Sequence, residues 1–224
     1  MRAVIFANGD FGQPGIVESL LKPEDVLIAA DGGAAHMQAL HLLPEAAVGD
    51  FDSISEEQLK ALQNKGVNIV RYPVKKDFTD LELALQYAQT VGVDDVLLLG
   101  ALGNRWDQSL ANLLLPAAAA YKSLRIRLVD GNQEITLIQA GQTLQLNGQS
   151  GDTLSLIPLV GDATGITTQG LEYPLTGETL TFGSTRGVSN VLLADCVSIT
   201  LDTGTLLCVL IHTGRLTYPS SHLE

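Results

Sequence analysis

Residues 93–110 read VDDVLLLGALGNRWDQSL and indicate how the first half of the chain folds. The run Val93–Leu99 is almost continuously apolar, which is typical of a strand whose two faces are both covered. A glycine-rich loop follows it, and Asp107–Tyr121 then shows helical spacing, with a kink or break expected at Pro116. A buried strand that leads through a loop into a helix is the repeating unit of an α/β protein with a mainly parallel sheet.

The same alternation of strands and helices extends outward from this stretch. Further strands are predicted at Ala3–Ala7, Val26–Ala30, Val67–Tyr72 and Leu124–Val129, and helices at Gly33–Leu43 and Thr79–Thr90. The second helix is expected to begin at Thr79, because Thr79 and Glu82 have the spacing of a capping box. Residues 1–132 are therefore predicted to form a mainly parallel, three-layer α/β domain with helices on both faces of the sheet.

The pattern changes near Gly131. Beyond it, short alternating runs recur between turn residues, at Thr143–Leu146, Thr153–Leu156, Glu178–Phe182, Val197–Leu201 and Leu206–Ile211. The tripeptide Asp202–Gly204 predicts a hairpin between the last two runs. We infer a second, all-β domain of sandwich or barrel type over residues 133–224, joined to the first around Gly131–Ala140.

The composition excludes several classes of protein. Of the 224 residues, 46% are hydrophobic and 17% are charged, so we expect a folded globular protein. The net charge of −12, with only 13 lysines and arginines, argues against a nucleic-acid partner. No apolar stretch approaches the length needed to span a bilayer, and the start MRAVIFANGD lacks the pattern of a signal peptide. Cys196 and Cys208 lie outside any CxxC motif and are predicted to be buried on strands, in a reducing, cytoplasmic setting.

Acidic residues and glycines follow nearly every predicted strand of the first domain. They form the groups Asn8-Gly9-Asp10, Asp31-Gly32-Gly33, Gly49-Asp50-Phe51-Asp52-Ser53, Lys75-Lys76-Asp77-Phe78-Thr79-Asp80 and Gly100–Asp107. Surface loops prefer these residue types in any case, so each group alone is weak evidence. Ligands of open α/β sheets bind beyond the carboxyl ends of the strands, where these groups are expected to converge.

Four aspartates are the candidate metal ligands. Asp50 and Asp52 lie two apart, so in an extended segment both carboxylates would point the same way. Paired carboxylates suit Mg²⁺ held together with phosphate oxygens, and a solvated turn is the alternative. Asp77 and Asp80 flank a helix start, where helix capping is the competing explanation. The basic pair Lys75–Lys76 is expected to be solvated, although either side chain could reach a phosphate.

The loop Gly100–Asp107 is the candidate phosphate-binding segment. Gly100 and Gly103 allow a ligand to approach the backbone closely. Arg105 can fork onto phosphate oxygens, and Asp107 could either cap the following helix or orient that arginine. The sequence contains no GxxxxGK[ST] loop, no GxGxxG fingerprint and no zinc-ligand spacing among its histidines. From the residues alone, we expect a metal-assisted enzyme that acts on a phosphorylated ligand.

The ordered set of motifs resembles thiamine pyrophosphokinases. The resemblance rests on the groups already quoted, on Asp31-Gly32-Gly33-Ala34 and Gly103-Asn104-Arg105-Trp106-Asp107-Gln108, and on Gly170-Leu171-Glu172-Tyr173-Pro174-Leu175 and Gly187-Val188-Ser189-Asn190. It implies an α/β nucleotide-binding domain followed by a thiamine-binding β-sandwich. It further implies a homodimer with thiamine near the subunit interface, and transfer of a diphosphate from ATP to thiamine with Mg²⁺.

The resemblance also implies a role for each matching residue. Catalytic roles fall on Asp50, Asp52, Asp77, Asp80, Arg105 and Asp107, and the first four of these hold the metal. Nucleotide-binding roles fall on Asn8, Asp31, Gly32, Gly33, Gly100, Gly103 and Asn104, and substrate-binding roles on Tyr173, Ser189, Asn190 and Gln108. Two positions depart from the family pattern: Gln108 stands where other members have histidine and cannot act as a base, and Tyr173 stands where tryptophan is common.

Three other functions stay open at this point. A non-catalytic thiamine or nucleotide sensor would tolerate loss of the acids, which this sequence keeps. Another magnesium-dependent phosphotransferase or nucleotide hydrolase would leave the motifs Gly170–Leu175 and Gly187–Asn190 unexplained. A structural β-module with an α/β passenger would leave the acids at the strand ends unexplained.

Overall fold

The computed structural model describes residues 1–10, 14–52, 54–214 and 221–223. Ser53, part of one predicted motif, lies outside these ranges. The protein is mixed α/β, with a large sheet and a second, antiparallel sheet. It divides into two compact units, the first formed by Met1–Pro14 with Leu21–Asp130 and the second by Gly15–Leu20 with Gly131–Glu224.

The helices of the described ranges are short. They are α1 Pro14–Leu20, α2 Gly33–Ala39, α3 Glu56–Asn64, α4 Asp80–Thr90 and α5 Trp106–Leu114, and the 3-10 turns Leu115–Ala117 and Ala119–Tyr121 follow α5. The predicted break is confirmed, because Pro116 lies in the first of these turns and ends the regular helix. Within the described ranges, no helix combines the length and hydropathy that a bilayer-crossing segment requires.

A parallel sheet forms the first unit. Its strands are β1 Arg2–Phe6, β2 Val26–Ala30, β3 Ala46–Gly49, β4 Asn68–Arg71, β5 Asp95–Leu99 and β6 Arg125–Asp130. They lie in the order β6–β5–β1–β2–β3–β4, and each neighbouring pair is parallel. Strands β2, β3 and β4 are added in turn on one side of β1. The chain then crosses back, and β5 and β6 are added on the other side of β1. This reversal between β1 and β5 is the point at which open α/β sheets bind ligands.

Two elements of this unit are missing from the sequence predictions, and one predicted helix is too long. Strand β3 is only four residues long and carries no alternation. Helix α3 does have a readable signal, a capping box in which Ser55 Oγ accepts the N–H of Gln58 at 3.2 Å and Gln58 Oε1 accepts the N–H of Ser55 at 3.0 Å. Helix α2 ends at Ala39 rather than Leu43, because His41 has a φ of 56°, which a right-handed helix cannot contain.

Helix α4 begins at the predicted place. Thr79 accepts the N–H of Glu82 at 3.2 Å, which caps the helix. The carboxylate of Glu82 accepts a hydrogen bond from the Tyr121 hydroxyl at 3.4 Å, so it does not complete the reciprocal bond of a capping box. The predicted apolar face is confirmed, since Leu81, Leu85 and Ala88 are buried.

Helix α2 packs against the end of β1 with almost no space between them. An ideal Cβ on Gly33 would lie 1.9 Å from the carbonyl oxygen of Phe6 and 3.2 Å from the nitrogen of Ala7. Phe6 is fully buried, so its backbone cannot retreat. Glycine at position 33 is therefore required for packing, whatever else it does.

The second unit contains α1 and the remaining strands. These are β7 Gln133–Gln139, β8 Thr143–Asn147, β9 Thr153–Pro158, β10 Ala163–Gln169, β11 Glu178–Leu180, β12 Asn190–Val191, β13 Cys196–Thr200, β14 Thr205–Ile211 and β15 Ser221–Leu223. They pair antiparallel in two sets, β12–β9–β14–β7 and β11–β10–β13–β8–β15. Buried side chains of both sets, such as Leu154 and Leu206 from one and Leu144 and Ile199 from the other, form one hydrophobic core. Two layers of strands around one core are the arrangement of a β-sandwich.

The hairpin predicted at Asp202–Gly204 is wrong. Strand β13 pairs with β8 and β10, whereas β14 pairs with β7 and β9. Leu201 and Leu206, on either side of the turn, are both buried in the shared core, so the chain crosses from one set of strands to the other. The Asp-Thr-Gly signal marks a change of direction and carries no information about which strands pair.

Two further predictions for this unit need correction. The junction expected around Gly131–Ala140 falls where the second unit resumes at Gly131, but most of this stretch is strand β7, which pairs along its whole length with β14. Its buried polar residues Glu134 and Thr136 interrupt the apolar pattern that would have identified it. Cys208 is buried as expected, but Cys196 is exposed, because it occupies an outward-facing position at the start of β13; both thiols are free.

The contact between Gly33 and Phe6 predicts a large stability effect. Gly33→Ala should lower the free energy of unfolding by about 3 kcal/mol, because the added methyl group must displace buried backbone. Ala35→Ser, at an exposed position of the same helix, should change it by less than about 0.5 kcal/mol. Urea denaturation of both variants, followed by circular dichroism, measures the difference. Equal midpoints for Gly33→Ala and the wild type would contradict the packing argument.

Candidate active site

A cleft of about 510 Å³ opens in the first unit where the order of its strands reverses. The chain beyond β1 runs beside the chain beyond β5, since the N–H of Gly9 donates to the carbonyl of Gly100 and the N–H of Asp10 to that of Leu102, both at 2.7 Å. An ideal Cβ on Gly9 would lie 2.2 Å from the Leu102 carbonyl oxygen, so only glycine permits this pairing. The cleft therefore lies at the predicted edge of the sheet.

Many residues singled out in the sequence line this cleft. Its walls include Asn8, Asp31, Asp80, Gly100, Gly103, Asn104, Arg105 and Gln108. Gly32 lies directly beneath Asn8, because an ideal Cβ there would lie 2.3 Å from the side-chain oxygen of Asn8. Gly32 and Gly33 thus support the wall through close packing, whereas Asn8 presents its side chain to the cleft.

Three carboxylates converge beside the cleft. Asp31 follows β2, Asp50 and Asp52 follow β3, and one oxygen of each lies within 4.8 Å of the others. Asp80, the first residue of α4, lies against the same point, since an ideal Cβ on Gly49 would be 3.2 Å from Asp80 Oδ1 and 3.1 Å from Asp31 Cβ. Clustered carboxylate oxygens are hard ligands of the kind Mg²⁺ prefers, so the donor set fits that ion.

The carboxylates converge for a different reason from the one predicted. The segment Asp50–Asp52 is not extended, because Phe51 has a φ of 60°. The turn brings the N–H of Asp52 to 3.3 Å from Asp50 Oδ1, and the ring of Phe51 is buried beneath it. Asp31 also has a positive φ, of 43°. Such conformations are strained for residues other than glycine and concentrate at functional sites.

Lys76 is buried among these acids, which corrects the expectation that it is solvated. Its side chain is 12% exposed, and its Nζ donates to Asp50 Oδ2 at 2.6 Å and to Asp80 Oδ1 at 2.7 Å. The hydrogen bond from Lys76 lowers the pKa of Asp50. Burial on its own would lower the pKa of Lys76, but the hydrogen bonds to Asp50 and Asp80 outweigh it and raise that pKa. Lys75 and Asp77 are exposed, and Asp77 lies outside the group of converging carboxylates.

Arg105 is oriented by Asp107. Arg105 Nε donates to Asp107 Oδ1 at 2.9 Å and its Nη2 to Oδ2 at 2.5 Å, the fork geometry of a bidentate pair. Asp107 does not cap α5, which begins without a side-chain cap. The hydrogen bond from Arg105 lowers the pKa of Asp107 to about 2. Both side chains are exposed, so the ion pair contributes little to the stability of the fold, and its effect is to orient the guanidinium of Arg105.

Two polar residues of α5 that the sequence analysis passed over support the wall of the cleft. Ser109 Oγ accepts the N–H of Gly103 at 3.0 Å, and Asn112 Nδ2 donates to the carbonyl of Ala101 at 2.6 Å. Both side chains line the cleft and hold the loop after β5 in place. Their spacing of three, which places both side chains on one face of α5, is the signal that could have identified them.

The substrate-side residues predicted in the second unit lie on one local structure. Asn190 Oδ1 accepts the N–H of Tyr173 at 3.0 Å, and Asn190 Nδ2 donates to the carbonyl of Tyr173 at 2.7 Å. Asn190 therefore positions Tyr173, whose side chain is 64% exposed. Ser189 has a φ of 65°, and its N–H donates to Ser155 Oγ at 3.1 Å.

An acidic cleft at the reversal point of a parallel sheet, with a fork-forming arginine on its wall, is typical of enzymes that act on phosphate-bearing ligands. Comparison with known proteins narrows this class. A family model described as "Thiamin pyrophosphokinase, catalytic domain" matches residues 17–128, and "Thiamin pyrophosphokinase, vitamin B1 binding domain" matches residues 141–206.

Individual relatives agree with the family models. The thiamine pyrophosphokinase of Bacillus subtilis is 30% identical over 182 residues, which cover 81% of this chain and 85% of that protein. Thiamine pyrophosphokinase 1 of Arabidopsis thaliana is 28% identical over 173 residues, which cover 73% of this chain and 64% of the plant protein. The crystal structure of the B. subtilis protein superposes with a TM-score of 0.83 and 26% identity, over 96% of this chain and 100% of that one. The chain belongs to the thiamine pyrophosphokinase family.

The positive φ of Ser189 predicts an unusual response to substitution. Ser189→Gly should raise the free energy of unfolding by up to about 1 kcal/mol, because glycine adopts this conformation without strain. Ser198→Gly, on strand β13, is the matched control and should lower it by about 1 kcal/mol. Thermal unfolding of both variants measures the difference. Destabilisation by Ser189→Gly equal to that of the control would show that Ser189 is unstrained.

Proposed function

We propose that the protein transfers the diphosphate of ATP to the hydroxyl of thiamine with Mg²⁺, giving thiamine diphosphate and AMP. As a member of the thiamine pyrophosphokinase family it is a thiamine diphosphokinase, a transferase that forms thiamine diphosphate from thiamine. The nucleotide, the metal ion and the second product are the parts that the proposal adds.

The observation that carries the proposal is the convergence of acids at the cleft. Asp31, Asp50 and Asp52 come from two different strand ends, yet their oxygens lie within 4.8 Å of one another. Carboxylates at such distances repel, and of these three only Asp50 contacts the ammonium of Lys76, so a further cation would stabilise the arrangement. An acidic chain with a net charge of −12 needs such a cation before it can accept a polyphosphate.

The residues that would hold Mg²⁺ are Asp31, Asp50, Asp52 and Asp80. Asp77, also expected from the family resemblance, is exposed and is not one of the three converging carboxylates. When bound, Mg²⁺ neutralises charge on the diphosphate and makes its phosphorus atoms more electrophilic.

The remaining roles belong to the chain itself. The thiamine hydroxyl oxygen forms a bond to the β-phosphorus of ATP, and the bond from that phosphorus to the bridging oxygen of the α-phosphate breaks. The electron pair leaves with AMP, and the hydroxyl proton passes to a carboxylate of the cleft. Arg105, held by Asp107, offsets charge that develops on the phosphate oxygens. Asn8, Gly100, Gly103 and Asn104 form the wall against which the nucleotide is held.

Thiamine recognition is assigned to Tyr173, Ser189, Asn190 and Gln108. The exposed ring of Tyr173 offers an aromatic face to a thiamine ring, and Asn190 fixes the backbone that carries it. Ser189 presents a hydroxyl from a strained position, and Gln108, which lines the cleft, can hydrogen-bond but cannot take up a proton at neutral pH.

We propose a three-layer α/β nucleotide-binding domain over residues 1–132 and a thiamine-binding β-sandwich domain over residues 133–224. Parallel crossovers are right-handed, so the connections from β2 to β4 and those from β4 to β6 should cover opposite faces of the sheet. Contacts of α2 with β1 and β2, and of α4 with β1, β2 and β3, support this arrangement.

A cytoplasmic setting is also proposed, in which the free thiols of Cys196 and Cys208 remain reduced.

A homodimer is the proposed assembly. Helix α5 exposes an apolar stripe, with Trp106 at 85%, Leu110 at 57% and Leu114 at 40%. These residues are spaced by four, so they share one helix face. Contiguous exposed apolar surface of this kind marks an interaction site, and a second copy of the chain is the proposed partner.

Product analysis tests the reaction. Purified protein is incubated with ATP, Mg²⁺ and thiamine, and the nucleotides and thiamine species are separated by chromatography. Equal amounts of AMP and thiamine diphosphate, formed only with all three components, are expected. ADP with thiamine monophosphate would make the protein an ordinary kinase, and AMP without thiamine a nucleotide hydrolase.

Substitution of a metal ligand tests the catalytic role of the acids. In the assay of AMP and thiamine diphosphate, Asp52→Asn should lower turnover by at least about 100-fold, because it removes a metal ligand.

The stability of this variant should stay within about 0.5 kcal/mol of the wild type, because Asp52 is exposed. Glu57→Gln, an exposed acid-to-amide change on α3, should alter neither turnover nor stability. Parallel losses of activity and stability in Asp52→Asn would remove the catalytic assignment of Asp52.

The α5 stripe predicts which variant breaks the dimer. Leu110→Glu should weaken self-association at least about tenfold, since it places a charge on an apolar contact. Val91→Glu, an exposed apolar position just after α4, is the control and should leave self-association unchanged. Sedimentation velocity over a range of concentrations measures both. Identical sedimentation of Leu110→Glu and the wild type would exclude this stripe as the interface.

A further inference from the structure

Lys76 occupies the position between two of the acids that would hold the metal. Its Nζ lies 2.6 Å from Asp50 Oδ2 and 2.7 Å from Asp80 Oδ1, in the segment between β4 and α4. The three side chains are largely buried, at 12%, 11% and 27% exposed for Lys76, Asp50 and Asp80. We propose that Lys76 is an internal counter-ion that competes with free divalent cation for Asp50 and Asp80, and that it passes to the diphosphate when the metal enters with the nucleotide. The inference rests on the metal role assigned to this cluster under the proposed function.

The competition follows from the position of the Lys76 charge against Asp50. Its Oδ1 accepts the N–H of Asp52 at 3.3 Å, and its Oδ2 accepts the ammonium of Lys76. A divalent cation that takes Asp50 Oδ2 as a ligand must displace that ammonium. If both cations stayed, two positive charges would lie within a few ångströms of each other in a partly buried site, where Coulomb repulsion is poorly screened.

The nucleotide removes this conflict. Its diphosphate brings several negative charges and strong acceptor oxygens, which compensate for a second cation. Lys76 lines the cleft and carries its charge on a flexible four-carbon stem, so the ammonium can change partner without a change in the backbone. Arg105, the other basic side chain lining the cleft in the described part of the chain, is held by Asp107 at the surface. Lys76 is therefore the group able to exchange an acid for a phosphate.

The consequence is thermodynamic coupling between metal and nucleotide. Without nucleotide, Lys76 stabilises the acids and weakens their affinity for free metal. With nucleotide, the same lysine contributes to phosphate binding, and the metal gains Asp50 and Asp80 as ligands. Coupling of this kind is reciprocal, so each ligand should raise the affinity of the other by the same factor.

Mn²⁺ binding to wild type, Lys76→Met and Lys75→Met tests the proposal. Electron paramagnetic resonance of free Mn²⁺ gives the affinity, with and without the inert analogue α,β-methylene-ATP, after correction for the Mn²⁺ that the analogue binds in the absence of protein. Without the analogue, Lys76→Met should bind Mn²⁺ at least about tenfold more tightly than the wild type, and with the analogue this advantage should vanish. Lys75→Met removes the same charge from an exposed neighbouring position, so it should match the wild type in both conditions.

The other outcomes are equally decisive. Unchanged or weaker Mn²⁺ binding by Lys76→Met without the analogue would make Lys76 a fixed structural ion-pair partner and overturn the proposal. Equal tightening by Lys75→Met would reduce the effect to net charge and also overturn it. Absence of Mn²⁺ binding by the wild type in both conditions would overturn the metal assignment on which the inference rests. Should Lys76→Met fail to fold, Lys76→Gln, which retains a hydrogen-bond donor, is measured in its place.

Discussion

Repulsion among carboxylates is the constraint that shapes the acidic site beside the cleft of the first unit. Oxygens of Asp31, Asp50 and Asp52 lie within 4.8 Å of one another, and Asp80 adjoins them across Gly49. Such a group forms only where the surrounding backbone holds it, and here Asp31 and the turn at Phe51 adopt positive φ angles to do so. The buried ammonium of Lys76 offsets part of the charge. The local strain and the buried lysine are both consequences of gathering acids at one edge of a parallel sheet.

Sheet topology explains where the group forms. The strand order reverses between β1 and β5, and the cleft opens at this point of the sheet, beside the hydrogen-bonded segments that follow the two strands. The alternating strands and helices of the first unit could be read from the sequence, since buried parallel strands are continuous apolar runs. Asp31 could be assigned to this edge because it follows the readable strand β2, whereas Asp50 and Asp52 follow β3, which shows no pattern of its own. Their mutual distances, and the exclusion of Asp77 from the group, depend on loop geometry, which residue periodicity does not encode.

The errors of prediction share physical causes. Strand β7 escaped notice because buried Glu134 and Thr136 break its apolar pattern, and β3 is too short to show one. The turn at Asp202–Gly204 could be recognised from its residues. Strand pairing is decided by distant residues, so the crossing from one set of strands to the other could not be predicted. Lys75 and Lys76 are adjacent in the sequence and were both expected to be solvated. Only the fold reveals that Lys76 faces the acids and that Lys75 is exposed. The motif that contains Asn190 gave no sign that its amide holds the backbone of Tyr173, because the two residues lie 17 positions apart in the sequence.

The assignment of α1 to the second unit has a consequence for biosynthesis. Residues 15–20 emerge from the ribosome well before residue 131, yet they group with the strands that begin there, while the chain on both sides of them belongs to the first unit. While the first unit is being synthesised, residues 15–20 therefore lack the strands with which they group, because these strands follow more than a hundred residues later. For the same reason, cleavage after Asp130 would divide the second unit, because residues 15–20 would stay with the fragment that contains the first unit.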